Sequence, residues 1–323
     1  MKVMIAGSTG VLGRRLVQQF SARGDTVYGL TRSDDSAHRV RALGGVAVAT
    51  DLFDAEAMAR AVEHVDVVVH AATAIPSKTR TSTADWANND RIRREGTVAL
   101  TRYASMVGAQ QYIQQSITWV ARPDDGAFYD ESSPSHPSPV TQSALDGEKI
   151  AQDAGHTYGF KASILRFGYF YSADSAHIRR IRDGLLSRRM PIIGRGDALI
   201  SNIHVDDAAS AIVASADSRL GGLWHVVDDQ PMSVASLFAT LAEKLGAPTP
   251  AHIPVWLARL LVGRTTVDLL TTSSETSNSL FKRDTKWNPT YATIDSGLDQ
   301  LVAAWRNEGA LPQLAPKTFR RAA

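Results

Sequence analysis

Two groups of residues in this chain have types and spacing that could do chemistry. The first is Gly7, Gly10 and Gly13 in "VMIAGSTGVLGRRLVQQF", between a short apolar run and an amphipathic one. Glycines at this spacing let the chain turn tightly, approach a pyrophosphate and pack a helix on a strand. The helix N-terminus then turns free N–H groups and a positive dipole end toward the phosphates. Thr9 in the turn and Leu12 in the first helical turn complete that cradle. The second group is a hydroxyl pair, Ser116 and Thr118 in "QQSITWV", which a buried strand would carry to the edge of a site.

The ends of the next strands indicate which dinucleotide is meant. An acidic residue about 20 positions after the glycines would take a ribose 2′-hydroxyl and favour NAD. Here "VYGLTRS" brings Thr31, Arg32 and Ser33 to that place. A guanidinium pairs with a 2′-phosphate, so Arg32 favours NADP over NAD. In "ATDLFD", Asp51 can accept from an adenine amino group with Leu52 near the ring; alternatively Asp51 or Asp54 caps a helix. "VVVHAAT" ends in Ala71, Ala72 and Thr73, small enough for the backbone to approach the cofactor, with His70 packed or capping.

These residues need a parallel sheet to position them. Apolar runs at 2–6, 26–30, 46–49, 65–71 and 112–115 predict strands, and amphipathic stretches at 11–22, 36–43, 55–63 and 85–108 predict helices between them. The β-branched run through Val65, Val67, Val68 and Val69 fits a strand buried on both faces. The alternation predicts an α/β fold, a Rossmann-type doubly wound parallel sheet with a smaller C-terminal α/β substrate lobe. A long Pro- and Ser-rich loop is expected at 121–139, then a helix at 141–154 and a strand at 162–166. The expected division is 1–170 for the dinucleotide-binding part and 171–323 for the substrate lobe, with a strand near 223–227 completing the sheet.

Composition narrows the function. The 323 residues are 44% hydrophobic and 21% charged, with 35 basic against 33 acidic side chains, so nothing marks a nucleic-acid or membrane partner. Without cysteine there is no disulfide, thiolate nucleophile or Cys-ligated metal. The longest apolar stretch, "IPVWLARLLVG" at 253–263, is short for a membrane span and is interrupted by Arg259. His204 and Asp206 lack a third metal ligand. The expectation is a cytoplasmic protein with a small-molecule substrate and no metal, either monomer or homodimer.

Taken together, "GSTGVLG", "DLFD", "HAAT", "EGTVALTRYA", "ILRFGYFYS", "NIHVDDAASAI", "GGLWHVVDDQPMSV" and "SNSLFKRDTKWNPTY" resemble the extended or atypical short-chain dehydrogenase/reductase family, the NAD-dependent epimerase/dehydratase type. The resemblance covers nearly the whole chain. It implies a Ser or Thr after the fifth strand that holds a substrate oxygen, a Tyr that moves a proton, and a Lys four residues later that lowers the Tyr pKa and holds the nicotinamide ribose. It also implies a cofactor contact at Arg166 and a homodimer built on helices 85–108 and 141–154. Ser116 or Thr118 supplies the hydroxyl, with Thr118 the better match.

The tyrosine is missing. "PVTQSALDGEKIAQDAG" at 139–155 contains none. If Lys149 is the family Lys, the Tyr position holds Leu145; if Glu148 is the family's later Glu, the pair falls on Val140 and Ala144. Tyr169 or Tyr171 past the sixth strand, or Tyr129 or His136 in the long loop, could replace it. Arg93 stands where the family usually has Asn. Arg179, Arg182 and Arg195 hint at a substrate with oxygens. The expected catalytic residues are Thr118, Ser116, Lys149 and Tyr169. The expected function is an NADP(H)-dependent oxidoreductase or epimerase with non-standard proton transfer. The alternatives are a non-redox enzyme on the same fold, or a non-catalytic NADP(H)-binding sensor of the NmrA-like kind.

Overall fold

The computed structural model describes residues 1–76, 78 and 81–311. Strands β1 (Lys2–Ala6), β2 (Thr26–Thr31), β3 (Val46–Ala49) and β4 (Val67–His70) alternate with α1 (Val11–Ala22), α2 (Asp34–Ala42) and α3 (Ala55–Ala61). Next come α4 (Thr83–Arg91), a π turn at Ile92–Gly96, α5 (Thr97–Met106), β5 (Gln111–Ile117), a 3-10 turn at Thr118–Ala121, α6 (Gln142–Tyr158) and β6 (Lys161–Phe167). The helix expected at 85–108 is therefore two α segments joined by a π turn.

The C-terminal part runs through β7 (Tyr169–Tyr171), α7 (Ala176–Leu186), β8 (Ile192–Ile193), β9 (Leu199–Ile200), β10 (Asn202–His204), α8 (Val205–Ser218), β11 (Gly222–Val226) and β12 (Met232–Ser233). It ends with α9 (Val234–Leu245), β13 (His252–Ile253), α10 (Val255–Val262), α11 (Arg264–Thr271), α12 (Ser279–Thr285) and α13 (Ile294–Asn307).

Seven strands form one sheet in the order β11-β6-β5-β4-β1-β2-β3. Every pairing in it is parallel. The chain builds outward from β1 to β3, then crosses back to place β4 on the other side of β1. The crevice between β1 and β4 is thus the switch point, where doubly wound sheets bind ligands. Val67 through His70 are all buried, as a central strand covered on both faces requires. One face packs against α1 and α8 through Leu12, Leu16, Val17, Phe20 and Ile212. The other packs against α3, α5 and α6 through Met58, Leu100, Tyr103, Ala151 and Ala154.

β11 closes the sheet beside β6, as expected near 223–227. A separate apolar cluster gathers α7, α9 and α13 around Ile178, Phe238, Leu298 and Trp305. Its strands are two or three residues long and pair only in twos, β10 with β7, β12 with β9 and β13 with β8. The apolar stretch at 253–263 becomes the short helix α10, and among the described residues no helix is long and apolar enough to cross a membrane.

Candidate active site

The glycine loop leaves β1 at the switch point. Gly7 has φ +85°, and a Cβ there would lie 2.6 Å from the backbone of Ala71 and Ala72. Its left-handed conformation and the close approach of β4's end both require glycine. A Cβ on Gly13 would stand 1.9 Å from the Gly7 carbonyl oxygen, so α1 sits directly on the turn. Gly10 caps α1 without any side-chain bond, leaving the first-turn N–H groups to whatever lies in front of them. Leu12 is buried beneath the turn, while Thr9 and the exposed Gly10 border its open side. This is a cradle that fits a dinucleotide pyrophosphate.

On one side of the cradle, Arg32 follows β2 with an exposed side chain. Its backbone N–H donates to Ser36 Oγ at 3.2 Å, and Ser33 caps α2, so the loop is held while the guanidinium is left in the open. Asp54, not Asp51, caps α3. Asp51 accepts from the Phe53 N–H at 3.0 Å through one oxygen and is otherwise exposed, with Leu52 half-buried beside it. On the other side, Ala71 is buried, Ala72 half-buried and Thr73 exposed. His70 is packed and capping: its Nε2 lies 3.2 Å from the Ile92 carbonyl, and its Nδ1 accepts from the Ala72 N–H. Burial lowers its pKa to about 4, so it is neutral.

The two hydroxyls go different ways. Ser116 donates to Glu148 Oε1. Glu148 also receives Arg166 Nε at 2.9 Å and Nη2 at 2.7 Å. The two charged side chains are 2% and 4% exposed, a buried, forked ion pair joining α6 to β6. Arg166, expected at the cofactor, spends these donors on Glu148. Thr118, the first residue past β5, is fully buried, and its hydroxyl has no well-aligned partner.

Glu148 also decides the register of α6. With Glu148 inward, the buried face runs through Ser143, Ala144, Gly147, Ala151 and Ala154. Lys149, one residue on and about 100° around the helix, is exposed. Lys149 therefore lies off the face that Glu148 turns inward. Of the two alignments, the one that puts Val140 and Ala144 in the Tyr and Lys positions agrees with this face.

The candidate replacements differ in their surroundings. Tyr169 stacks on Trp119 with centroids 6.0 Å apart and meets His177 edge-on at 5.2 Å; burial pushes its hydroxyl up to about 12. Tyr171 donates to Asp228 Oδ2 at 3.0 Å and is fully buried, a structural bond. Tyr129 lies buried under the long loop, edge-on to His225 at 5.7 Å, its hydroxyl beside Thr118 and pushed up to about 12 by burial. His136 is exposed. The position of Tyr129 over the end of β5 depends on the path of the loop and left no mark in local sequence.

Other charged groups hold the scaffold. Asp146 accepts from Arg94 and Gln142. Asp207 accepts from the N–H groups of Thr290 and Tyr291, both at 2.8 Å, and His204 caps α8. Arg179 pairs with Glu308, Arg182 with Asp183 and Arg195 with Asp197, so the hint of substrate-facing arginines is not what the structure places there. Among the described residues, no group of three or more His, Asp or Glu side chains could hold a metal. A cleft lined by Ser105, Gln110, Tyr158 and Arg219 lies at the opposite ends of the strands, where β5 and β6 begin, away from this chemistry.

Comparison with known proteins agrees with this geometry. The model of the NAD dependent epimerase/dehydratase family matches residues 3–224. A Streptomyces 3-diazoavenalumate denitrifying reductase is 32% identical over 92% of this chain and 99% of its own. A Stigmatella aurantiaca ketoreductase of a farnesyl dihydroquinoline oxide is 26% identical over 80% of this chain and 78% of its own. Human epimerase family protein SDR39U1, solved with NADPH, superposes with a TM-score of 0.79 at 18% identity, covering 94% of this chain and 99% of that one. The Gly7–Gly13 cradle at the switch point, the sheet order and the full-length matches make this chain a member of the NAD-dependent epimerase/dehydratase family, an NAD(P)-binding enzyme.

Proposed function

We propose that the chain is an NADP(H)-dependent reductase of a small organic electrophile, working without a helix-borne tyrosine acid. The observation that carries this reading is the register of α6. Glu148 turns inward to Arg166, and Ser143, Ala144 and Gly147 share that buried face, so the helix offers neither acid nor cation. The open guanidinium of Arg32 supports NADP over NAD.

A bound nicotinamide supplies hydride. An electrophile that already carries positive charge needs no proton from the protein. The Streptomyces relative is named for reductive loss of nitrogen from a diazo compound. In an aryl diazonium, hydride replaces N2 on the ring carbon: the C–N bond breaks, a C–H bond forms, and the two electrons of the hydride end in the product. We therefore favour an aryl diazo substrate class. In this reading Thr118 turns its hydroxyl, which lies beside that of Tyr129, to a substrate oxygen, and Thr9, Leu12 and Ala71–Thr73 seat the cofactor with Gly7, Gly10 and Gly13. Asp51 and Leu52 border the adenine.

A second reading, carbonyl reduction with a replacement acid, draws on Tyr129 beside Thr118, and Tyr169 is the other candidate acid. The test mixes protein, NADPH and 3-diazoavenalumate, following absorbance and gas release. One N2 per NADPH oxidised, undiminished in Tyr129→Phe and Tyr169→Phe, supports the first reading. Inactivity there, with Tyr129-dependent oxidation of NADPH by a ketone, selects the second. Substrate conversion without net NADPH consumption rejects both.

A further inference from the structure

Arg93 lies where the helical segment from α4 to α5 changes pitch. The π turn Ile92–Gly96 adds a residue to one turn and so re-aims the side chains it carries, a device common at functional sites. α6 is pressed against it: a Cβ on Gly147 would stand 2.8 Å from the Arg93 carbonyl oxygen. The guanidinium is partly buried, and desolvation weakens its hold on its proton. His70, Asp90 and Glu148 all feel its charge, which places it between the end of β4, α4 and α6. Glu148 is already engaged by Arg166 and Ser116, and Arg93 makes no ion pair or side-chain hydrogen bond among the described residues. A desolvated cation left without a partner is unfavourable unless something else completes it.

Two further polar groups near this turn also lack partners. Asn89 is fully buried, and its Oδ1 accepts from the Ala74 N–H at 3.0 Å while its Nδ2 bonds to nothing. Ser143, one turn before Gly147 on α6, is fully buried with a free hydroxyl. Ala144 beside it fills little space. In the sheet β1, which carries the cradle, lies between β2, which carries Arg32, and β4, whose end is beside Arg93, so a dinucleotide with its adenosine half at Arg32 would bring its other half across the glycine turn toward Arg93.

We propose that Arg93, with Asn89 and Ser143, holds the ribose and phosphate oxygens of the nicotinamide half of the cofactor. The cation absent from α6 is thereby supplied from the neighbouring helix. This assignment rests on NADP(H) being the cofactor.

The test is calorimetric titration of cofactor-stripped protein with NADPH and with 2′,5′-ADP, which carries only the adenosine half. Arg93→Asn is expected to weaken NADPH at least about 10-fold, the loss of a charge-assisted hydrogen bond, with 2′,5′-ADP unchanged. Arg93→Lys recovers part of the loss, and Ser143→Ala gives a smaller loss confined to NADPH. Equal weakening of both ligands in Arg93→Asn and Ser143→Ala would make Arg93 a prop of the fold and overturn the assignment. Unchanged NADPH affinity with a raised substrate KM would give Arg93 to the substrate and overturn it too. Wild-type protein that binds neither ligand removes the dinucleotide reading itself, whereas NADPH bound equally by wild type and Arg93→Asn sinks this assignment alone. If Arg93→Asn does not fold, Arg93→Lys and Ser143→Ala decide by the same contrast between the two ligands.

Discussion

Ser116 and Thr118 stand two residues apart at one strand end, yet the fold gives them unlike tasks. Ser116 completes a buried ion pair, whereas Thr118 lies beside the Tyr129 hydroxyl with no well-aligned bond. Glu148→Gln leaves Arg166 charged and uncompensated, and is expected to cost roughly 3 kcal/mol or more, read as a lowered denaturation midpoint. Thr118→Ala should leave that midpoint and NADPH affinity nearly unchanged while lowering kcat/KM by about 10-fold or more, the scale of a lost hydrogen bond to substrate. If Thr118→Ala is fully active, the hydroxyl does not touch substrate. At this scale the sequence was half legible. The hydroxyls and glycines stood out by type and spacing, but Glu148 and Lys149 are neighbours, and only burial shows which faces in. Arg166 was visible as the end of a strand, whereas its partner lies on a different element, 18 residues away.

Among the elements, β1, α1 and β3 are found where hydrophobic periodicity placed them. β5 extends to Ile117, beyond the expected 115, because Gln115, Ser116 and Ile117 pair with Leu165, Arg166 and Phe167 on β6. The polar Ser116 hid the strand's end, since pairing was dictated by the neighbour and not by propensity. The π turn was illegible for a similar reason: nothing in "IRREG" marks it, and the close approach of Gly147 is a fact about another helix. Gly147→Ala is therefore expected to push α6 off the turn and cost about 1–3 kcal/mol by overpacking, seen as a lower melting temperature. Gly7→Ala combines a positive φ with a clash against Ala71, so it should lose NADPH binding in the same calorimetric titration. A Gly7→Ala protein with wild-type affinity would remove the cradle from the site.

For the whole molecule, repeated β-α alternation was enough to foresee the doubly wound sheet, but the C-terminal cluster was legible only as shorter, mixed segments. Its strands, two or three residues long, are too brief to leave a period in the sequence. Two buried histidines tie the stability of the molecule to acidity. Burial lowers His70 to about 4 and His225 to about 3. An unfolded histidine titrates near 6.5, so the unfolded chain binds more protons below that pH, and stability falls as pH drops from about 6.5 toward the folded values. At pH 5 each contributes about 2 kcal/mol of loss. Thermal melts between pH 7 and 5 should show the decline, and it should shrink in His225→Asn. A flat profile would mean that these rings are protonated in the folded chain. The helix that caps the glycine turn has a second attachment. Arg14 and Arg15 of α1 reach Asp174, and Arg15 also takes Asp206 at the start of α8. For anyone building chimeras, a C-terminal half moved onto a host whose first helix lacks these two arginines leaves Asp174 and Asp206 without these cations, so the first helix is best carried along with it.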